Sequence, residues 1–436
     1  MKVVAATTSA FVIGLLIGLV AMYAAVPSMM APVKSSSSIT SMTTVPSGLS
    51  GTITIGDLVA LTGDLSAYGQ RNKVAVDMAI NDINIWLAST GSNVTFAVQH
   101  EDTATDPATC LQQLQSMAAE GIQVYVGPMT SAEVRYVLPY ADANKLVLIS
   151  QSSTAEDLAN RTNSYLFRLV PTDDAQSRAV ARVVLASGFS DVIVVARHDP
   201  WGDGLSAAFE ARYQQIGGTI IDTVRYTPVS NGTYDFSPQL AQIQSDYNTA
   251  VSKYGASKVA IVAVSFDELS ALYQQATSYK SILSATWFGT DGTAESSTIA
   301  SSSGTVAAEV HSFSTIYAPT RSDKNDAFTA AFLNRTGAEP DAYAYSAYDA
   351  TWLAALSILT AENNNGAAVQ RVFVDVANHY FGVAGWPDLN ANGDRTISDY
   401  DIWNVEPNPS VSGTYEWVLA GTWVANSDTV TWATSS

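Results

Sequence analysis

At 436 residues the chain is long enough for two domains with real cores, and its formal charge of −19, with only 21 lysines and arginines, argues against nucleic acid or an anionic lipid surface as partner, because both reward the opposite sign. Charged residues make up 14% of the chain, against about a quarter in typical soluble domains, and Ser, Thr, Asn, Gln and Tyr take their place, as suits an extracellular medium. Cys110 is the only cysteine, which excludes an intrachain disulfide and a cysteine-based zinc cluster and reads as a small buried hydrophobe.

Val3 to Val26 carries no charge and follows Lys2. The run is long enough to span a bilayer as a helix and longer than the roughly 7–15 residue core of a cleaved signal, although Ala24 and Ala25 offer a cleavage point. Residues 1–26 are therefore expected to be a transmembrane anchor or signal, and with no cysteine behind them a lipoprotein anchor is excluded. Residues 27–50 are rich in Ser, Thr, Pro and Met and read as a linker, so the simplest arrangement is a membrane-tethered ectodomain, extracellular or periplasmic. Asn93, Asn160, Asn231 and Asn334 each open an N-x-S/T sequon, in keeping with export.

Thr52 to Asn84 forms one unit: an apolar strand, a loop of glycines, hydroxyls and a tyrosine, then a helix whose Val76, Ile80, Ile83 and Leu87 recur at helical spacing. Strands are expected at Ile53–Leu58, Val94–Val98, Val124–Val126 and Leu146–Ile149, then in a second block at Val192–Ala196, Thr219–Tyr226, Val259–Val264 and Thr286–Gly289, with helices between them. Such alternation means βαβ units, hence two doubly wound α/β lobes with largely parallel sheets. Tyr165–Thr172 reads as a first crossing between lobes and Val306–Tyr317 as the return. Helices are expected at Asp323–Asn334, Ala342–Thr360 and Ala367–His379, and the tail from Gly382, with Trp386, Trp403, Trp417 and Trp423, alternates as hairpins do. The expected division is 51–170 plus 312–381 for lobe 1 and 171–311 plus 382–436 for lobe 2.

In a parallel α/β sheet the loops leaving the carboxyl ends of the strands hold small ligands. In the first block these loops are Thr62–Gly69, Gly127–Ser131 and Gln151–Thr154, offering hydroxyls and N–H groups at helix starts that suit a carboxylate. In the second they are Asp199–Gly204, Ser265–Glu268 and Thr290–Gly292, offering aromatics and carboxylates. Facing each other, the two sets complement a zwitterion: Ser131 and Thr154 with nearby N–H groups for an α-carboxylate, Asp291 for an ammonium, and Tyr68, Trp201 and Phe266 around an apolar side chain. Taken singly, each loop is better explained by helix capping and space filling.

The LTGDLSAYG loop followed by AINDIN, the D-T-x-x-D-P turn at Asp102–Pro107, GPMTS, ISQSST, YLFRLVPT and WGDGL occur in an order that resembles the branched-chain amino acid binding proteins of ABC importers, type I periplasmic binding proteins, across roughly residues 51–405. The resemblance implies that Ser131, Ser152, Ser153 and Thr154 face a ligand carboxylate, that Asp291 takes the ammonium, and that Tyr68, Trp201 and Phe266 line the pocket. Gln151 stands where proline is common, Ser152 and Ser153 replace smaller residues, and Asp291 replaces a frequent Glu, which leaves more room and puts a strictly branched-chain ligand in question.

Two motifs point elsewhere. Gly202-x-Gly204-x-x-Ala207 with Asp222 outlines a dinucleotide site, but Arg197–Trp201 separates the strand from the first glycine, whereas a pyrophosphate needs a turn directly off the strand. Asp388, Asn390, Asn392 and Asp399 match the spacing of a calcium loop, yet two of these are neutral amides and the last is not a bidentate Glu, so no metal is assigned. No paired histidines, nucleophile elbow or phosphate loop appears, and neither an enzyme nor a cofactor is expected. The chain reads as an extracytoplasmic solute-binding protein that captures an amino acid, branched-chain ligands included, or a similar small polar solute such as an amide, and delivers it to separate ABC permease subunits. A ligand-sensing receptor ectodomain of the same fold is the alternative.

Overall fold

The computed structural model describes residues 48–433 except 160, 230–232 and 397. The expected anchor or signal at 1–26 and nearly all of the linker at 27–50 lie outside these residues. Among the described residues no helix is long and apolar enough to cross a membrane.

The first sheet contains β1 (Gly51–Val59), β2 (Val94–Asp102), β3 (Val124–Val126), β4 (Val147–Ser150) and β5 (Leu166–Arg168), all parallel in the order β2-β1-β3-β4-β5. β1 pairs with β2 from Gly51↔Val94 to Val59↔Asp102. Side chains alternate between two cores: Val124, Val126, Val147 and Ile149 enter the layer under helices Ser66–Ser89 and Ala342–Ala361, while Tyr125 and Leu148 enter the layer with Cys110 and Leu114. A sheet covered on both faces needs apolar residues at every position, hence the near-continuous runs in the sequence.

The second sheet has eight strands in the order β13-β12-β11-β10-β9-β8-β6-β7. β6 (Asp191–Arg197), β7 (Thr219–Tyr226), β8 (Val259–Val264), β9 (Thr286–Gly289) and β10 (Phe313–Tyr317) are parallel, and β11 (Tyr400–Pro407), β12 (Tyr415–Val424) and β13 (Thr429–Trp432) extend the edge antiparallel, as the alternating tail predicts. Even-numbered residues of β6 and β8 (Val192, Val194, Val262, Val264) face one core and odd-numbered ones (Ile193, Val195, Ile261, Ala263) the other. The first of these cores also takes Val59, Ala60, Leu65, Tyr68 and Met129, so one apolar cluster runs across both halves.

Two boundaries differ from expectation. Val306–Glu309 belongs to helix Ser297–Glu309, and β10, placed by the sequence in lobe 1, pairs with β9 and β11 in the second sheet. Val383, Ala384 and Leu389, placed in lobe 2, pack instead in the core beneath the first sheet. The cause is that the connecting segments bind one another: Arg168 and Asp394 form a bridge, the Ala318 amide donates to the Asp399 carbonyl (2.8 Å) and the Thr320 amide to the Ala384 carbonyl (3.2 Å). At Gly69 a β-carbon would stand 1.8 Å from the Ala60 carbonyl oxygen, so glycine is what lets the first helix start directly against the end of β1.

Candidate functional site

On the first half, Thr130 caps helix Ser131–Asn144: its Oγ1 accepts from the Glu133 amide (3.1 Å) while Glu133 Oε2 accepts from the Thr130 amide (2.9 Å). The neighbouring Ser131 is thereby free of capping duty. Its Oγ accepts the amides of Thr154 (3.1 Å) and Ala155 (3.0 Å), and so ties the GPMTS loop to the QSST loop. With the Thr154 amide engaged in this bond, its hydroxyl is what Thr154 offers. What Ser131 still offers is its own hydroxyl hydrogen, since its oxygen already accepts twice. Ser152 Oγ donates to the Met129 carbonyl (2.8 Å), and Ser150 Oγ accepts the Ser153 amide (3.1 Å). Ser153 Oγ and both polar side-chain atoms of Gln151 are buried with no hydrogen-bond partner in the chain.

On the second half, Asp291 follows β9 and is buried. Its Oδ2 accepts from the Tyr343 hydroxyl (2.7 Å) and its Oδ1 has no hydrogen-bond partner in the chain. Burial pushes its carboxyl up to about 6, with the Tyr343 hydroxyl and the backbone amides of Asp291 and Gly292 pulling the other way. Tyr68 reaches across from the first helix to donate to the Ala294 carbonyl (2.5 Å), and its ring meets that of Tyr343 edge-on at 5.6 Å.

Two residues that sequence reasoning missed complete this arrangement. Asp173, at the start of helix Asp173–Ala186, is a second buried acid, its carboxyl held up by burial and then by the Asp291 charge, against a lowering contribution from the Thr154 hydroxyl. The Asp173 amide donates to the Thr154 carbonyl (2.9 Å), and both Asp173 carboxylate oxygens are buried with no hydrogen-bond partner in the chain. Tyr343, the second missed residue, is the partner of Asp291. Asp173 sits right after the crossing YLFRLVPT, where an acid is also an ordinary first-turn residue, and Tyr343 lies in a helix of the other half, so neither had a local signal.

Trp201 and Phe266 stack with ring centroids 4.6 Å apart, and the Arg197 guanidinium lies over the Phe266 ring, 3.9 Å from its centroid. Arg197 is held by Glu268 Oε1 and Asp199 Oδ2, both at 2.6 Å. Asp199 also caps helix Pro200–Gln215 through the Gly202 amide (2.8 Å). A β-carbon on Gly202 would lie 2.1 Å from the Arg197 carbonyl, so the glycine that mimics a dinucleotide turn serves the chain's own backbone. Tyr68, Trp201 and Phe266 share the apolar cluster that spans both halves. All eight expected residues are therefore buried at the carboxyl ends of facing strands. Further bonds join the halves directly: Tyr234 donates to Asp64 Oδ2 (2.7 Å), the Asp267 amide to the Asp64 carbonyl (3.2 Å), and Arg71 to the Glu295 carbonyl (2.9 Å).

The calcium-spaced residues are engaged separately. Asn390 Oδ1 accepts the Asn392 (2.9 Å) and Asp394 (3.1 Å) amides, Asp388 Oδ2 accepts the Thr396 hydroxyl (2.6 Å), and Asp399 Oδ1 accepts the Ala425 amide (2.8 Å). Among the described residues no group of three or more His, Cys, Asp or Glu side chains is placed to hold a metal ion.

The model for receptor family ligand binding regions matches residues 71–408. An uncharacterized protein of Methanocaldococcus jannaschii is 32% identical over 397 residues, 87% of this chain and 91% of that protein. A Leu/Ile/Val-binding protein of Rhizobium johnstonii is 31% identical over 196 residues, 44% of this chain and 52% of that protein, so the alignment spans about half of its length. Among solved structures, the branched-chain amino acid transporter substrate binding protein of Streptococcus pneumoniae in complex with isoleucine superposes with a TM-score of 0.68 at 21% identity, covering 85% of this chain and 100% of that one. An ABC transporter substrate-binding protein of Desulfitobacterium hafniense complexed with Leu gives 0.65 at 20% identity, covering 84% and 100%. At those identities the structures establish the fold. Together with the family match over most of its length, this means that the chain belongs to the receptor family ligand binding regions, the type I periplasmic binding proteins, a family of solute-binding and receptor regions and not of enzymes.

Proposed function

We propose that this protein is the extracytoplasmic solute-binding component of an ABC importer, taking an amino acid or a similar small polar solute between its two halves and presenting it to separate permease subunits. The observation that carries the reading is the buried, half-paired Asp291 beside the tyrosines Tyr68 and Tyr343, together with Asp173, whose amide donates to the Thr154 carbonyl (2.9 Å) and whose two buried carboxylate oxygens have no hydrogen-bond partner in the chain. Two buried carboxylates side by side disfavour each other's charge, and an ammonium between them removes that cost. The hydroxyls of Ser131 and Thr154 then serve the ligand carboxylate, with Ser152 and Ser153 in the same loop, and Tyr68, Trp201 and Phe266 enclose its side chain. The amino-acid-binding relatives and neighbours support this chemistry.

Capture works as a population shift: one half binds first, and contacts such as Tyr68 to Ala294 and Tyr343 to Asp291 form only as the halves meet. A micromolar site corresponds to about 8 kcal/mol, within reach of a few charge-assisted bonds and one buried side chain after ordering costs. Residues 51–170 and 312–381 would move largely as one lobe and the remainder as the other, subject to the β10 and 383–389 exchanges above. Residues 1–26 would tether the domain to the membrane as a helix or direct its export, and 27–50 would serve as the leash.

Thermal unfolding of residues 45–436 in the presence of amino acids and amides tests the reading. At least one α-amino acid is expected to raise the midpoint of the wild type and to leave Asp291→Ala unmoved. Equal stabilisation of both proteins would refute the ammonium assignment, and no stabilisation by any amino acid or amide would refute the function.

A further inference from the structure

A cleft of about 980 Å³ lies between the two halves, walled on one side by the loops after β1 and β2 and on the other by those after β6, β7 and β8. Its charge is lopsided. Asp64, Asp106, Asp199, Asp267 and Glu268 line it against the single guanidinium of Arg197. That guanidinium is already shared by Asp64, Asp199 and Glu268, and hydrogen bonds from amides and hydroxyls to the other acids orient them without cancelling charge. The wall also holds two buried polar atoms with no hydrogen-bond partner in the chain, Glu268 Oε2 and Ser270 Oγ, their residues 5% and 4% exposed. Ser270 is not one of the acids, so the unmet hydrogen-bonding capacity of the wall is a separate observation from its charge. Phe266 links the cleft to the expected ligand site: its ring stacks on Trp201 and lies 3.9 Å from the Arg197 guanidinium that lines the cleft, and Ala132, Pro200 and Asp267 of the wall directly adjoin Ser131, Trp201 and Phe266 in the chain.

We propose that this cleft is a cation-accepting annex to the ligand site, so that the preferred solute carries a second ammonium or guanidinium group, as a basic amino acid or a diamine-like compound does. The inference rests on the proposed solute-binding function and names its substrate class. A low-dielectric cleft lined by one sign of charge concentrates and orients the opposite sign, and a cation placed beside Glu268 satisfies the carboxylate oxygen that Arg197 leaves over. An aliphatic side chain gains nothing there.

Calorimetric titration of the ectodomain with leucine, lysine, arginine and cadaverine decides the matter. Lysine or arginine is expected to bind at least about tenfold more tightly than leucine, with the preference shrinking in 0.5 M salt and in both Glu268→Gln and Asp64→Asn. Asp64→Asn retains an acceptor for Tyr234 and keeps the test valid should Glu268→Gln fold poorly. Leucine binding as tightly as lysine overturns the annex and leaves the amino acid reading standing. If no amino acid binds, that reading falls, and cadaverine then judges the annex alone: binding that weakens in Asp64→Asn upholds it, and no binding overturns it.

Discussion

Two aspartates, Asp291 and Asp349, are equally buried, and burial raises both carboxyls to about 6, yet the chain treats them differently. Asp349 is saturated: Oδ1 accepts from the Tyr380 hydroxyl (3.0 Å) and the Val383 amide (2.9 Å), and Oδ2 from the Ala384 amide (2.8 Å). It binds helix Ala342–Ala361 to the connecting segment at 383–384 and has nothing left to offer. Asp291 receives one tyrosine hydroxyl and keeps an oxygen unmet. The contrast separates an acid that holds the fold from one held ready for a ligand, a distinction that burial and pKa alone do not make.

Alanine substitution should therefore split the pair. Asp349→Ala strands three buried donors and is expected to cost on the order of 3–5 kcal/mol of unfolding free energy in urea denaturation. Asp291→Ala frees one side-chain donor, the Tyr343 hydroxyl, and removes a carboxylate that burial disfavours, so the ligand-free protein should stay within about 1 kcal/mol of wild type while ligand affinity falls by about a hundredfold or more. Similar losses of stability in the two variants would erase the distinction.

Acidity sharpens it further. Asp267, Asp291 and Asp349 are held up to about 6, Glu268 to about 7 and Glu295 to about 8, in each case chiefly by burial. A carboxyl whose pKa is higher folded than unfolded contributes stability that is complete below its unfolded pKa and lost as pH rises through the folded one. The ligand-free midpoint should accordingly climb as pH is lowered from 8 toward 5. Ligand binding runs the other way, because an ammonium pairs only with ionised Asp291, so the ligand-induced shift should shrink below about pH 6. A midpoint independent of pH, or a ligand shift that grows in acid, would contradict these assignments.

Much of this was readable from the residues. β3, β8 and β9 fall on the expected spans because a strand buried on both faces leaves an apolar run, as in Val259–Val264, and the half-exposed edge strand β7 does so through its β-branched residues. The rule that ligand loops follow strand ends singles out the loops that hold Tyr68, Trp201, Phe266 and Asp291, and all four are buried. Helix Ser297–Glu309 was not, because its Ser-, Thr- and Ala-rich sequence has no charged face to set a period, and β10 was displaced with it. Asp173 and Tyr343 depend on how the connecting segments bring the halves together, which no local pattern encodes. The same holds for the Arg168–Asp394 bridge.

The smallest effect expected concerns a third buried acid, Asp57 on β1, remote in kind from both of the others because its partner is itself titratable. His100 on β2 places Nδ1 2.6 Å from Asp57 and Nε2 3.0 Å from Asp77, which Lys73 also contacts (2.9 Å). A neutral imidazole donates from one nitrogen only, so a ring with a carboxylate at each nitrogen is an imidazolium. Burial opposes that charge, but the bonds to Asp57 and Asp77 outweigh it and raise the ring's pKa, and Lys73 moderates the two acids. Glu101, also on β2, is occupied with Gln99 (3.0 Å). The brace holds the helix that carries Tyr68 and Arg71, and its contribution is present below the unfolded histidine pKa and lost as pH rises through the folded one. His100→Gln should cost about 1 kcal/mol at pH 6 and progressively less at alkaline pH, measured by urea denaturation across that range. A cost that stays constant from pH 6 to pH 9 would mean that the ring is neutral and that the two acids are held by something other than its proton.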